Sequence, residues 1–372
     1  MKHANGHDVI QLFEQFAPKK FAMDGDPVGL QIGQLNGPVK NVLVALDVLE
    51  DVVDEAIEKD VQLIIAHHPS VYRPLKNMAT DTPQGRLIEK CIRHGIAVYA
   101  AHTNLDIAEG GVNDLLAEAL GLRDTEVLSP LYEDKLRKLV VFVPVSHEEA
   151  VRTALGNAGA GAIGNYSHCS FSARGTGRFL PGEGTNPFLG EAGKLEAADE
   201  TRIETIYPVS IEKQVLSAML EAHPYEEVAY DIYRVLNEGR KYGLGRIGEI
   251  EREMALREFA EHVKKALEVP ALRVVGNLDE KVKKVAVLGG DGNKYFAEAK
   301  KAGADVFVTG DFYYHNAHDA LALGLNVVDP GHNVEKVMKK GVAAYMQKAC
   351  REHQLDVRFI ASEVNTDPFQ FL

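Results

Sequence analysis

The chain has 372 residues and a formal net charge of −13, from 41 Lys and Arg against 54 Asp and Glu. Its composition, with 45% hydrophobic and 26% charged residues, is that of a globular protein and excludes disorder over most of the chain. The length suits more than one domain, and the acidic balance argues against nucleic acid as a partner.

Cysteine usage and hydropathy bear on the cellular compartment. Cys91, Cys169 and Cys350 are far apart and odd in number, which argues against a disulfide framework and a thiolate zinc site. The N-terminus lacks the apolar run of a secretory signal, and no segment approaches the roughly 18 apolar residues of a spanning helix. We therefore expect a cytoplasmic protein without a membrane segment.

The first region that alternates strands and helices covers residues 40–128. Three apolar, β-branched runs predict strands at Lys40–Asp47, Leu63–His68 and Ala97–His102. Segments with helical spacing follow them at Glu50–Asp60, Arg86–Gly95 and Val112–Gly121. Continuous apolar strands between helices predict a sheet that is covered on both faces.

The same alternation returns at residues 283–362. Its predicted strands are Lys283–Gly290, Val306–Asp311, Leu325–His332 and a last one, Asp356–Ser362. When the first region is laid on the second, Asn41 falls on Lys284 without gaps in between. This overlay predicts an internal repeat, with two related α/β halves.

The segment between the halves has a different texture. Its predicted elements follow the order β-α-β-β-α-β over roughly residues 130–235, which is typical of a ferredoxin-like unit. A charged stretch, Glu251–Glu268, is predicted to be helical and to lead back into the second half. The pattern therefore predicts a domain inserted into a loop of another domain.

Imidazoles and carboxylates gather where the predicted strands end. His67 and His68 close one strand, His102 and Asp106 follow the next, and Asp311 and His315 follow a strand of the second half. His332 and Glu335 lie at the end of another strand and on the first turn of the next helix. Because ligands of open α/β sheets bind beyond the carboxyl ends of the strands, these side chains are candidates for one site.

The donor types indicate a metal. His332 and Glu335 are three residues apart, so on a helix they share one face, and the consecutive His67 and His68 can reach two adjacent ions. Imidazole and carboxylate without thiolate suit zinc, manganese, iron or nickel. Five such ligands, with Asp106, exceed the usual mononuclear catalytic set, so two ions bridged by a carboxylate fit better.

Other readings of these residues remain open. A histidine at a strand end is often structural, and His102 and His315 could orient ligands, transfer protons or simply pack. The pattern G-x-G-x-x-G at Gly243–Gly248 follows a charged linker, which argues against a dinucleotide site. No G-x-S-x-G or C-x-x-C motif supports covalent catalysis.

Several segments resemble one family. AHHPS, AAHTNLD, TGDFYYHNAHDA, DPGHNVEK and DPVGLQIG are similar to motifs of the GTP cyclohydrolase 1 type 2 homologues, also called the NIF-three-like family. The insert, with GNYSHCSFSARGTGRF and HPYEEVAYDIY, resembles the PII/CutA-like domain of longer bacterial members. The resemblance implies halves at residues 1–128 and 239–372, and an insert at 129–238. The fold class is then a duplicated α/β unit with mixed sheets, interrupted by a ferredoxin-like α+β insert.

The resemblance also implies a function. It places a dinuclear centre, with zinc favoured, on five ligands: His67, His68, Asp106, His332 and Glu335. It implies a toroidal homohexamer, and the family's name implies hydrolysis of GTP. The first hypothesis is therefore a metal-dependent hydrolase that acts on a nucleotide such as GTP, in which His102 or His315 transfers protons. The alternatives are a non-enzymatic metal-binding regulator or scaffold, whose insert senses a ligand, and a metal-storage protein.

Overall fold

A computed structural model describes residues 4–77 and 79–372. Its α-helices are α1 (Gly6–Phe16), α2 (Glu50–Glu58), α3 (Pro83–Arg93), α4 (Thr103–Ile107), α5 (Val112–Ala119), α6 (Glu148–Asn157), α7 (Glu212–Ala222), α8 (Leu256–Ala266), α9 (Phe296–Lys301), α10 (Tyr314–Ala322) and α11 (Val337–Glu352). Short 3₁₀ turns occur at Lys19–Phe21, Val145–His147, Val209–Ile211 and His332–Lys336.

The strands are β1 (Ala4–Asn5), β2 (Gly29–Ile32), β3 (Pro38–Val39), β4 (Asn41–Ala45), β5 (Leu63–Ala66), β6 (Ala97–Ala100), β7 (Arg123–Glu133), β8 (Leu136–Pro144), β9 (Ser170–Phe179), β10 (Glu196–Pro208), β11 (Tyr230–Arg234), β12 (Lys241–Ala255), β13 (Arg273–Val275), β14 (Lys281–Asp291), β15 (Val306–Gly310), β16 (Asn326–Asp329) and β17 (Arg358–Ala361). They belong to two compact units. The first unit combines residues 1–132 with 242–372, and the second consists of residues 133–241.

One sheet of the first unit has the strand order β17-β4-β5-β6-β2. The pairs from β17 to β6 are parallel, and β2 is antiparallel to β6. Both faces are covered, because alternate residues enter different cores. Leu43, Ile64 and Val98 pack with α2 and α3, whereas Val44, Ile65 and Tyr99 enter a larger core. The predicted burial of both faces is confirmed.

The other large sheet of this unit has the order β13-β16-β15-β14-β12-β7. Its three middle strands, β14, β15 and β16, are parallel, as β4, β5 and β6 are in the first sheet. The predicted mixed α/β class is confirmed. No helix among the described residues is both long and apolar enough to cross a membrane.

Two predictions are wrong: one assigned a strand to the wrong half, and the other began a helix too early. The last strand, β17, was expected to complete the second half, but it pairs with β4 of the first. Residues 251–255 continue strand β12, and the helix α8 begins only at Leu256, because Met254 and Ala255 pair with β14 after a shift in register. The pattern at Gly243–Gly248 therefore lies inside a strand and does not open a helix, which excludes a dinucleotide loop there.

The second unit consists of β8, α6, β9, β10, α7 and β11 in chain order. Its sheet has the order β11-β8-β10-β9, and all of its pairs are antiparallel. The helices pack on one face, where Leu139, Val141 and Ile203 meet Val151 and Val215 in a separate core. The opposite face of this sheet carries no helix of this unit.

Candidate metal centre

The first pair of histidines extends strand β5. The backbone N–H groups of His67 and His68 donate to the carbonyls of Ala45 and Leu46, at 3.1 and 2.9 Å, so the pairing with β4 continues past the strand. Consecutive N–H donors depart from the every-second-residue pattern of a regular strand, so the two side chains do not point to opposite sides, and their rings lie 5.0 Å apart between centroids. His67 is fully buried, whereas His68 is partly exposed.

Asp106 lies on the short helix α4, directly after strand β6. It is 9% exposed, and its backbone carbonyl accepts a hydrogen bond from the Asn113 side chain at 2.9 Å. His102 is the residue before this helix. The end of β6 therefore directs both side chains toward the end of β5.

His332 and Glu335 both lie in the 3₁₀ turn that precedes α11, whereas the sequence predicts Glu335 on the first turn of an α-helix. In a 3₁₀ turn, residues three apart are eclipsed, so the pair still shares one face. The His332 Nε2 and Glu335 Oε2 atoms are 3.3 Å apart. Glu335 is only 3% exposed, because α5 and β14 pack around the turn.

The carboxylate of Glu335 joins side chains from both halves. Its Oε2 atom lies 3.0 Å from His68 Nε2 and 3.6 Å from His67 Nε2. His67 Nε2 is also 3.6 Å from Asp106 Oδ1. The ligand atoms lie within 4.8 Å of one another in three groups: His67, His68, His102; His68, His332, Glu335; and His67, Asp106, Glu335. The structure thus brings the five predicted ligands and His102 together, and Glu335 belongs to two of these groups.

Each of these histidines has its Nδ1 atom held by an acceptor outside the centre. The contacts are His67 to Ala101 O (3.0 Å), His68 to Asp47 (2.7 Å), His102 to Asp26 (2.8 Å) and His332 to Asp311 (2.7 Å). An acceptor at Nδ1 selects the tautomer whose Nε2 lone pair is free to bind a metal. The rings are therefore oriented before any ion binds.

The charges of the cluster depend on one another. Burial opposes a charged imidazole, but hydrogen bonds to Asp47 and Glu335 outweigh it and raise the pKa of His68 to about 10. Burial raises the pKa of Asp106 to about 6. Burial also acts against ionised Glu335, but the charge of His67 and hydrogen bonds from the histidines hold its pKa well below 4.5. The buried carboxylate thus requires nearby positive charge.

Two buried atoms are suited to bind a cation. Among the described residues, His67 Nε2 and Asp106 Oδ1 have no hydrogen-bond partner, although both are shielded from solvent. Such atoms are costly unless something binds them. Gly290 leaves space for two of these side chains, because a Cβ atom there would lie 2.8 Å from Glu335 Oε1 and 3.2 Å from His332 Nε2. The donor set of imidazoles and carboxylates suits zinc and similar divalent ions.

The sequence patterns missed the roles of Asp26 and Asp47. Asp47 ends the first strand of the sheet, so the strand-end rule applied to that strand would have found it. Asp26 lies far from any predicted strand, and no spacing indicates its contact with His102. His315, predicted to transfer protons, is exposed on α10 and belongs to none of the three groups.

Comparisons with known proteins identify the family of the chain. The family model described as Duf34/NIF3 (NGG1p interacting factor 3) matches residues 4–368. The chain is 61% identical over 371 residues to the GTP cyclohydrolase 1 type 2 homolog of Bacillus subtilis strain 168, which covers 100% of both chains. It is 36% identical to the protein of the same name from Staphylococcus aureus strain COL, over 98% of this chain and 99% of the other.

Solved structures show the same fold. A Bacillus cereus protein related to NIF3 superposes with a TM-score of 0.93 at 60% identity, over 100% of both chains. Staphylococcus aureus protein SA1388 superposes with a TM-score of 0.75 at 32% identity, also over 100% of both chains. The resemblance that the AHHPS, AAHTNLD and DPGHNVEK motifs carry is confirmed, and the chain belongs to the Duf34/NIF3 family.

Proposed function

We propose that the chain is a metal-dependent hydrolase with a dinuclear centre, acting on a nucleotide such as GTP. The observation that carries the proposal is the pair of orphaned buried atoms, His67 Nε2 and Asp106 Oδ1, inside a cluster of preoriented imidazoles. The names of the relatives, which are GTP cyclohydrolase 1 type 2 homologs, support the choice of substrate class.

Five side chains would hold the ions: His67, His68, Asp106, His332 and Glu335. Glu335 is the candidate bridge, because its carboxylate is shared by a group around His332 and a group around Asp106. Bound divalent ions would supply Lewis acidity and lower the pKa of bound water toward neutrality. The outer acceptors Asp47 and Asp311 would keep the imidazoles in place while a substrate binds.

His102 is the candidate for proton transfer. Its Nδ1 atom is held by Asp26 at 2.8 Å, and the Asp26 carboxylate also accepts from the Thr103 backbone N–H at 3.0 Å. This support fixes the ring and leaves Nε2 to accept or donate a proton at the centre. His315 would act only on a substrate that reaches the exposed face of α10.

Further parts of the proposal follow from the family. Zinc is the favoured metal, with iron, manganese and nickel as alternatives that the same donors accommodate. A toroidal homohexamer, a cytoplasmic location and a PII/CutA-like nature of the insert at residues 129–238 complete it. Size-exclusion chromatography with light scattering would test the hexamer.

Elemental analysis of the purified protein tests the centre. We expect about two divalent ions per chain after reconstitution, and clear loss of metal and of GTP turnover in Glu335→Ala. Glu352→Ala, at the far end of α11, is the matched control and should behave as the wild type. Fewer than about one ion per chain would contradict the dinuclear centre.

Turnover separates the enzyme from the non-enzymatic alternative. A metal-replete protein that converts no nucleotide, phosphoester or cyclic amide would support a regulator or scaffold. Turnover that persists in Glu335→Ala would show that the activity belongs to another site or to a contaminant.

A further inference from the structure

A cavity of about 630 Å³ lies wholly within the second unit. Its position follows from the alternation of the sheet. Since Val141 and Ile203 pack against the helices, their neighbours Phe142 and Arg202 face the other side. Both of these neighbours line the cavity, together with segments 180–189 and 225–229. The cavity therefore occupies the sheet face that carries no helix of this unit.

Small residues of strand β9 form its floor. Ala173, Gly175 and Gly177 alternate along the strand and line the cavity. A Cβ atom on Gly175 would meet nothing within 4 Å, so the space above this residue is open. Glycine weakens the interior of a strand and often marks a close approach of a ligand. The floor is thus shaped to leave room above it.

A buried carboxylate lies beside this floor. Glu200 is 8% exposed, and its Oε1 atom accepts a hydrogen bond from the Tyr225 hydroxyl at 2.9 Å. Among the described residues this hydroxyl is the single hydrogen-bond partner of the Glu200 side chain. A Cβ atom on Gly177 would lie 2.0 Å from Glu200 Oε2, so glycine is needed there for the carboxylate to fit. A carboxylate accepts several hydrogen bonds, and here most of that capacity is unused.

Aromatic rings surround the carboxylate. The rings of Phe179 and Phe188 lie 6.0 and 6.1 Å from that of Tyr225, between centroids. His223 fixes this wall, because its Nε2–H donates to the Phe142 carbonyl at 2.9 Å and its Nδ1 accepts from the Tyr225 backbone N–H at 3.1 Å. Aromatic faces attract organic cations.

Arg174, Arg178 and Arg202 also line the cavity, but among the described residues none of them forms an ion pair with Glu200. Arg202 is paired with Glu204 at 2.9 Å. Arg174 is paired with Glu148 at 3.1 Å. Glu226 and Glu227 add negative charge to the cavity lining.

We propose that this cavity binds a small organic cation, an ammonium group carried on an aromatic or apolar body. The ammonium group would donate hydrogen bonds to the Glu200 carboxylate, and the body would fill the space above Gly175 between the rings of Phe179 and Phe188. The Glu200 carboxylate has one protein donor and can accept further hydrogen bonds, so a charged ammonium donor binds it favourably. This site shares no residue with the candidate metal centre and does not depend on its function.

Three ligands of one shape test the charge preference. Phenethylamine, 2-phenylethanol and phenylacetate each have a phenyl ring with a two-carbon side chain. Their polar ends are positive, neutral and negative, respectively. Titration calorimetry with the full-length protein should show phenethylamine bound at least about tenfold more tightly than 2-phenylethanol, with phenylacetate weakest. Tighter binding of phenylacetate, or no heat from phenethylamine at millimolar concentration, would overturn the proposal.

Two variants locate the binding. Glu200→Gln should remove the preference for phenethylamine over 2-phenylethanol, and Gly175→Val should abolish binding of both by filling the cavity. Ser172→Val, on the same strand but facing the other side, is the matched control and should bind as the wild type. Undiminished binding in Gly175→Val would place the cation elsewhere, and an unchanged preference in Glu200→Gln would remove the carboxylate from the site. Circular dichroism confirms that each variant is folded.

Discussion

His68 and Asp47 are joined by a hydrogen bond of 2.7 Å between Nδ1 and Oδ1, although they end two different strands. Asp47 in turn accepts from the hydroxyl of Thr366, near the C-terminus. The adjacent strands β4 and β5 are parallel, so their carboxyl ends meet at one edge of the sheet. A side chain at the end of β4 can therefore orient a candidate ligand at the end of β5.

Removal of this outer carboxylate should weaken metal binding while every candidate ligand remains. For Asp47→Ala we expect the metal affinity to fall about 10–100-fold, because the imidazole of His68 loses the acceptor that orients it. Competition with a chromophoric chelator measures the change. Asp54→Ala, an exposed carboxylate on α2, is the control. Equal affinities in the two variants would contradict an orienting role for Asp47.

Gly290 should be required for the centre itself. Its φ angle is +63°, and an added Cβ atom would approach both Glu335 and His332. We expect Gly290→Ala to bind substantially less metal than the wild type. Gly303→Ala is a matched control, because Gly303 has a φ of +86° but its Cβ atom would meet only the Lys284 ammonium at 3.7 Å. If both variants lose metal equally, the cause is backbone strain at the positive φ angle and not contact of the added Cβ atom with Glu335 and His332.

Much of the fold could be predicted because its strands are short, apolar and separated by helices. Pairing between distant strands could not. The membership of β17 beside β4 rests on contacts such as the backbone N–H of Ser362 to the carbonyl of Val44 at 2.8 Å, which leave no local trace in the sequence. A buried apolar run is compatible with either sheet, so periodicity cannot choose between them.

The site shows the same division. His67, His68 and Glu335 could be predicted to lie near each other, because each follows the carboxyl end of a strand. The partner of His102 could not, since Asp26 is on a loop and its distance in sequence carries no periodic signal. Strand-end reasoning collected the five candidate ligands, and the family resemblance implies the same five.

The central arginine of the G-x-G-x-x-G segment should be structural. Arg246 is 4% exposed and donates to both carboxylate oxygens of Asp114, at 2.5 and 2.7 Å. Asp114→Ala leaves a buried cation without its partner, so we expect a loss of about 3 kcal/mol in the free energy of unfolding. The double variant with Arg246→Leu should lose less than the sum of the single losses. Urea unfolding measures these values, and additive losses would contradict the coupling.

Glu55 should make the attachment of the C-terminal segment pH-dependent. Burial disfavours its charge, but hydrogen bonds from the Glu363 backbone, Lys59 and Ser362 outweigh burial and hold the pKa of Glu55 below 4.5. A lowered pKa stabilises the fold above pH 4.5, and this contribution is lost as the pH falls through the folded-state value. The stability difference between the wild type and Glu55→Gln should therefore shrink on acidification. A difference that stays constant in urea unfolding from neutral pH to below 4.5 would contradict this.

His102 is both a candidate proton-transfer residue and a neighbour of His67 and His68 in one potential ligand group. The two roles predict different metal contents for a variant that lacks His102. If His102 transfers protons, His102→Gln should retain the full metal content while GTP turnover falls about 10²–10⁴-fold. Because Asp26 holds the ring, Asp26→Asn should reduce turnover less and also leave the metal in place. His353→Gln, at the C-terminal end of α11, is the control. Metal loss in His102→Gln would make it a ligand, and unchanged turnover with full metal content would exclude both roles.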